Sequence, residues 1–121
     1  MRDDVMGSAI LNYFKKNDNT PIRVFINKSE EPEMYPSVFF RHYRNMLKYE
    51  KTALKLTVGK VLDLGCGAGC HALYLQNKGL DVSAVELSKK SASVAISQGV
   101  TKVLIEDWRN LNLKNFDTIL V

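Results

Sequence analysis

The sequence predicts an α/β fold, a Rossmann-like doubly wound parallel sheet preceded by helices. Three observations predict it. From Gly59 onward, apolar runs of strand length alternate with stretches of helical spacing. Those runs, VLDL, VSAVE, VLIE and TILV, are apolar almost without a break, as parallel strands covered on both faces are. Between the first run and its helix stands a bare turn, Gly65-Cys66-Gly67-Ala68-Gly69.

The elements follow in order. Val5, Met6, Ala9, Ile10, Tyr13 and Phe14 recur at helical spacing, so residues 3–16 are predicted to be a helix, capped by Asp3 or Asp4 and ended by NDNTP. IRVFI, residues 22–26, reads as a short strand or extended cover. NKSEEPEMYPS reads as a loop, because Pro32 and Pro36 exclude regular structure. A second helix is expected within residues 37–56, on the repeat of Phe39 or Phe40, Tyr43, Leu47, Glu50 and Leu54, with a turn as the alternative for its N-terminal part near Phe40 and Arg41. Then come strand 60–64, helix 70–78 ended by Gly79, strand 82–87, a helix from the Ser88 cap to about Gln98, strand 102–106 and strand 116–121. Crossovers between parallel strands should be right-handed. The organisation is thus an N-terminal helical cover, residues 1–57, and a Rossmann-like core, residues 58–121, which looks incomplete.

Composition narrows the class. A chain of 121 residues with 45% hydrophobic and 25% charged residues is ordinary for one globular domain. No apolar run approaches the roughly 20 residues that span a bilayer, so no membrane association is expected. The start, MRDDVMGS, is acidic and lacks a secretory leader's basic and apolar regions, which makes the cytoplasm the default location. The two cysteines, Cys66 and Cys70, flank the glycine turn, which argues against a disulfide framework. A net charge of +4 is compatible with an acidic partner without demonstrating one.

The turn carries the chemistry. Glycine permits tight backbone conformations and close approach of a ligand, and the following helix offers free N–H groups and a positive dipole end. Dinucleotide folds use G-x-G-x-x-G, which would require glycine at position 70, where Cys70 stands; here the third glycine is Gly69. An NAD-type site is therefore disfavoured. Asp63 precedes the first glycine by two residues, Glu86 ends the next strand and Asp107 the third. Carboxylates at strand tips beside such a turn suit ribose and amino-group recognition.

At this point the motif set resembles that of the class I S-adenosylmethionine-dependent methyltransferases. VLDLGCGAG is similar to their first motif, AVELS to their acidic second-strand motif, EDW to their adenine-contacting motif and FDTILV to their fourth strand. MYPSVFFRHYRNM…E…AL…GK also resembles the leader of some bacterial members. The resemblance implies strand order 3-2-1-4 for the four strands present, and S-adenosylmethionine as cofactor. It implies that backbone around Gly65, Cys66, Gly67 and Gly69 approaches the methionine part, and that Asp63 orients the loop or meets the amino group. Glu86 would accept from both ribose hydroxyls, Leu87 would pack on the adenine, Asp107 would accept from the adenine amino group, and Trp108 would lie beside the ring. Arg41 would pair with the cofactor carboxylate. No catalytic base is named by the resemblance, because the segments that complete the acceptor pocket in the family lie beyond its fourth strand. A small-molecule methyl acceptor is expected ahead of protein or RNA.

Other readings of the same residues stand beside this one. Cys66, Cys70 and His71 form C-x-x-x-C-H, one residue longer than a haem-attachment motif, and could offer metal ligands; no further clustered ligands complete a site, so no metal is expected. Arg41, Arg44, Lys48, Lys51 and Lys55 would make one basic face of a continuous helix, either a phosphate-tracking stripe or a solvated exterior. The module could also bind the cofactor without catalysing transfer. Finally, strand 116–121 would present an open apolar edge, expected to be covered by another copy of the chain or by further chain of a longer protein.

Overall fold

In the computed structural model, which describes residues 3–121, the four expected parallel strands form one sheet. These are β3 (Lys60–Leu64), β4 (Asp81–Val85), β5 (Val103–Leu104) and β6 (Thr118–Leu120), in the order β5-β4-β3-β6. The register runs Val61↔Val82 and Asp63↔Ala84 on one side of β3, and Val61↔Thr118 and Asp63↔Leu120 on the other. This is the 3-2-1-4 order that the family resemblance implies. β3 is central, so Val61 and Leu62 are wholly buried. α3 (Cys70–Asn77) and α4 (Lys89–Gln98) connect the strands, and Ala72, Leu75, Ala92 and Ala95 turn inward. The small residues let the helices approach closely. β4 ends at Val85 and β5 at Leu104, so Glu86 and Glu106 lie past the strand ends, where both line a cleft.

α1 (Val5–Lys16) starts where Asp4 Oδ1 accepts from the Gly7 N–H at 2.8 Å, and ends at Asn17 in the left-handed region. It lies on α4. Ile10 packs with Ala68 and Val94, supported by Leu11, Phe39 and Phe40, in a second apolar cluster that fastens the N-terminal segment to the core. Asp4 Oδ2 also accepts from the Ser88 hydroxyl at 2.5 Å, at the start of α4.

Two expectations for residues 20–56 need correction. The stretch read as a loop contains β2 (Ser29–Met34), which pairs antiparallel with β1 (Ile22–Ile26) around a two-residue turn, Asn27 and Lys28, both at positive φ. Pro32 is tolerated because the register shifts between Ile22 and Val24, opposite it, and the strand has a free edge. Of the helix expected within 37–56, the N-terminal part takes the turn alternative and extends it, as two short 3-10 turns, Pro36–Phe40 and Tyr43–Asn45, and only α2 (Lys48–Leu56) is α-helical. The backbone is extended at Arg41 and Met46. At the first break Arg41 Nε donates to Val38 O at 2.8 Å and its guanidinium is drawn to Glu50. Glu50 in turn accepts from the Leu47 N–H at 2.8 Å and caps α2. The basic face imagined on a continuous helix is therefore not continuous. Among the described residues no helix is long and apolar enough to cross a membrane.

Candidate functional site

Three cavities meet at the C-terminal end of β3, and Gly65 lines all of them. The first, about 330 Å3, runs between Glu86 and Leu87 on one side and Asp107 and Trp108 on the other. The second, about 790 Å3, lies between the start of α1 and the start of α4, and takes in Phe39, Gly67 and Glu86. The third, about 360 Å3, is lined by Tyr49, Glu50, Asp63, His71, Leu120 and Val121. A groove of this kind at the carboxyl ends of parallel strands, beside a turn into a helix, is where open α/β sheets bind ligands.

The turn is built to leave Gly65 bare. Its φ is +70°, a region that glycine enters without penalty, and a Cβ placed there would meet nothing within 4 Å. Gly65 and Cys66 both donate to Val85 O, at 2.8 and 3.1 Å, which binds the turn to β4. The Gly67 N–H donates to Glu86 Oε1 at 2.9 Å, and the Ser88 N–H to Glu86 Oε2 at 2.8 Å. Glu86 thus ties the glycine turn to the start of α4, with acceptor capacity left on both oxygens. Leu87 is 70% exposed and Trp108 51% exposed, two apolar side chains facing one cleft.

Asp63 is the site's anomaly. It is only 5% exposed, and its Oδ2 is buried with no hydrogen-bond partner among the described residues. Burial pushes its carboxyl up to about 6, against an opposing pull from His71. Glu50, also buried, is the reverse. Its carboxylate accepts from Arg41 Nη1 at 2.6 Å, Arg41 Nη2 at 2.5 Å and the Leu47 N–H, and its Oε1 lies 2.9 Å from His71 Nε2. Burial works to raise it, but the guanidinium, the backbone N–H and the imidazole outweigh this and bring it down to about 2.

The structure brings Asp63, Gly65, Gly67, Glu86, Leu87, Asp107 and Trp108 to this cleft. Three expected residues also have partners within the fold. Arg41 faces away, and its guanidinium is engaged by Glu50, so it has no free fork for a ligand carboxylate. Gly69, at φ +88°, is packed: a Cβ there would lie 2.8 Å from Val100 Cγ2 and 3.2 Å from Ala95 Cβ, so its bareness serves helix packing. Cys66 turns towards the core, and burial pushes its thiol up to about 12. Asp107 lines the cleft but also caps the following 3-10 turn, accepting from the Arg109 N–H at 3.0 Å and pairing with its guanidinium. Reading along the chain places His71 at a helix start near the pocket but misses Glu50 as a cavity residue, because their contact joins α2 to α3 across 21 positions. Among the described residues no group of His, Cys, Asp and Glu is placed to hold a metal ion.

Solved structures share this layout. A S-adenosylmethionine-dependent methyltransferase from Bacteroides fragilis, crystallised with S-adenosyl-L-homocysteine, superposes with a TM-score of 0.82 at 34% identity, over 91% of this chain and 46% of that one. The tRNA (uracil-54, C5)-methyltransferase of Pyrococcus abyssi has the same fold, at 20% identity and a TM-score of 0.53, over 84% of this chain and 27% of that one. The fold is that of the class I S-adenosylmethionine-dependent methyltransferases. Within that class, residues 38–119 match the family described as tellurite resistance protein TehB, and the chain belongs to that family. Among curated proteins, the 23S rRNA (uracil(747)-C(5))-methyltransferase of Pyrococcus abyssi is 32% identical over 130 residues, covering 99% of this chain and 30% of that protein. The chain spans less than half the length of these relatives.

Proposed function

We propose that the chain binds S-adenosylmethionine in the groove around Gly65 and forms the cofactor-holding part of a methyltransferase. The observation that carries this reading is the buried, unpartnered Oδ2 of Asp63. A buried acceptor without a donor costs roughly 1–3 kcal/mol, and an arriving ammonium group removes that cost. The amino-acid end of the cofactor carries one. The rest of the groove fits the same molecule. Leu87 and Trp108 offer faces for a flat base, the Glu86 carboxylate stands where a ribose diol would lie, and the space before Gly65 admits a ligand against the main chain. Asp107 offers remaining acceptor capacity at the base end.

The bound sulfonium would supply an electrophilic methyl group. The contribution of these residues is alignment: fixing both ends of the ligand sets the direction in which the methyl points. Of the expected cover, residues 1–57, the described part from residue 3 onward would close the groove, since Phe39 lies over Gly67 and Asp4 reaches Ser88. A small-molecule acceptor is favoured because the basic face is interrupted: Arg41 is neutralised by Glu50, and Lys51 sits over the Tyr43 ring at 5.2 Å. The relatives' acceptors differ from one another, ribosomal RNA being named for one of them. The cytoplasm is the proposed location.

Calorimetric titration of the full chain with S-adenosylhomocysteine tests the reading. One-site binding, with no response to NADH and a marked loss in Asp63→Asn, is expected. Absence of binding, or NADH binding in its place, overturns it.

A further inference from the structure

Two helices begin side by side at the groove, and one carboxylate serves both. Asp4 Oδ1 accepts from the Gly7 N–H at 2.8 Å, which caps α1, and Asp4 Oδ2 accepts from the Ser88 hydroxyl at 2.5 Å. Ser88 is itself the cap of α4, its oxygen accepting from the Ser91 N–H at 3.1 Å. A serine hydroxyl has one proton to give; Asp4 takes it, and a lone pair is left for Ser91. The Ser88 N–H donates to Glu86 Oε2 at 2.8 Å, and Glu86 Oε1 accepts from the Gly67 N–H at 2.9 Å. These bonds form one chain, from the first turn of α1 through Asp4, Ser88 and Glu86 to the glycine turn.

Gly7 is fitted to this junction. Glycine weakens a helix relative to alanine, yet Gly7 stands buried in the first turn of α1. Its φ is not positive, so no left-handed turn asks for glycine there. A Cβ at that position would overlap Asp4 Oδ2 and Ser88 Oγ. The bare position is what lets the two helix starts meet. Met6 and Ile10 of α1 wall the cavity that Gly67 and Glu86 also line, so the docked helix closes over the same space.

We propose that Asp4 is a positioning residue for the ribose end of the groove: by holding the Ser88 hydroxyl it fixes the segment that orients Glu86, and so couples the docking of α1 to the grip of Glu86 on a ribose diol. This deepens the cofactor reading above and rests on it. Coupling between two sites is reciprocal: whatever factor the docked α1 adds to ligand affinity, the ligand returns to the docking of α1.

The test uses the full chain and two ligands, S-adenosylhomocysteine and its 2′,3′-dideoxy analogue, which lacks both ribose hydroxyls. Asp4→Asn separates capping from coupling. Asparagine caps a helix about as well as aspartate, but it has one oxygen where aspartate has two and cannot serve both Gly7 and Ser88. Gly7→Ala reaches the same contact from the other side, since its methyl group would push the carboxylate off Ser88 while favouring the helix. By calorimetry each variant is expected to weaken S-adenosylhomocysteine at least about fivefold, the low end of coupling between sites, and to leave the dideoxy analogue within about twofold. In the wild-type chain, saturating S-adenosylhomocysteine is expected to slow hydrogen exchange of the α1 amides by a similar factor, and in both variants that slowing should be lost. Thermal melting confirms that each variant is folded. Equal losses for the two ligands would mean that Asp4 only supports the fold, and would overturn the proposal. Undiminished affinity in both variants would overturn it, as would α1 exchange that does not respond to ligand in the wild-type chain. If the wild-type chain binds both ligands equally, Glu86 does not hold the diol; this proposal then falls and the cofactor reading stands. If it binds neither, both fall.

Discussion

Asp63 at the end of β3 and Glu50 in α2 are buried carboxylates that line one cavity, and the fold treats them in opposite ways. Glu50 is surrounded by donors, and its carboxyl is brought down to about 2. Asp63 keeps a bare oxygen, and burial pushes its carboxyl up to about 6. Depth therefore does not decide what a buried acid is for; its partners do. A satisfied acid holds elements together. An unsatisfied one weakens the fold until something arrives to bond with it.

The comparison is broken most forcefully at Glu50. Glu50→Ala leaves the part-buried Arg41 guanidinium without its partner and frees the α2 cap, so unfolding in urea is expected to lose about 3–5 kcal/mol. Gly69→Ala comes next. Its positive φ and the 2.8 Å approach to Val100 combine left-handed strain with overpacking, for an expected loss of about 2–4 kcal/mol in the same assay. Asp63→Asn has the opposite sign. Relieving the buried charge is expected to stabilise the ligand-free chain at pH 7, by up to about 3 kcal/mol at 1.36 kcal/mol per pKa unit, while S-adenosylhomocysteine binding weakens. A variant that loses both stability and binding would show that Asp63 supports the fold.

The pH dependence sharpens the contrast. Asp63 is raised from 3.8, so its favourable contribution is complete below that value and is lost as pH climbs through about 6. Glu50 is depressed from 4.5, so its contribution is present above that value and is lost as pH falls through about 2. Ligand-free stability is expected to fall between about pH 4 and pH 6 and to level off by pH 7, and that slope should vanish in Asp63→Asn. Affinity for S-adenosylhomocysteine should rise over the same interval, as Asp63 ionises. The smallest effect on the fold is at Gly65, where nothing stands near an added Cβ. Gly65→Ala is expected to cost only the backbone strain, about 1–2 kcal/mol, but to block ligand approach.

The core was legible because its physics is local. VLDL and DVSAV are buried on both faces, so their composition alone identifies central parallel strands, and Ser88 caps α4 as its position suggests. Glu86, Leu87 and Trp108 could be placed because strand ends and a bare turn converge on one rim. The hairpin was not legible. Glu30, Pro32 and Glu33 face water and Glu31 is half-buried on a two-stranded ribbon, so no alternation of apolar and polar residues marks β2. The break at Arg41 within 37–56 depends on Arg41 meeting Glu50, nine positions on, and the placing of Glu50 beside His71 depends on a contact between two helices. Spacing rules see neighbours along one element and are blind to such meetings. The engagement of Arg41 by Glu50 and the packing at Gly69 are hidden for the same reason: a guanidinium or a bare backbone looks alike in a sequence whether it faces a ligand or a neighbouring helix.

The chain has a single tryptophan, Trp108, and the fold places it at half exposure on the wall opposite Leu87. Its indole emission therefore comes from one place, the cleft proposed for the purine. Quenching or a blue shift on adding nucleoside would follow occupancy in real time, with no dye and no label, and would remain silent about events elsewhere in the molecule.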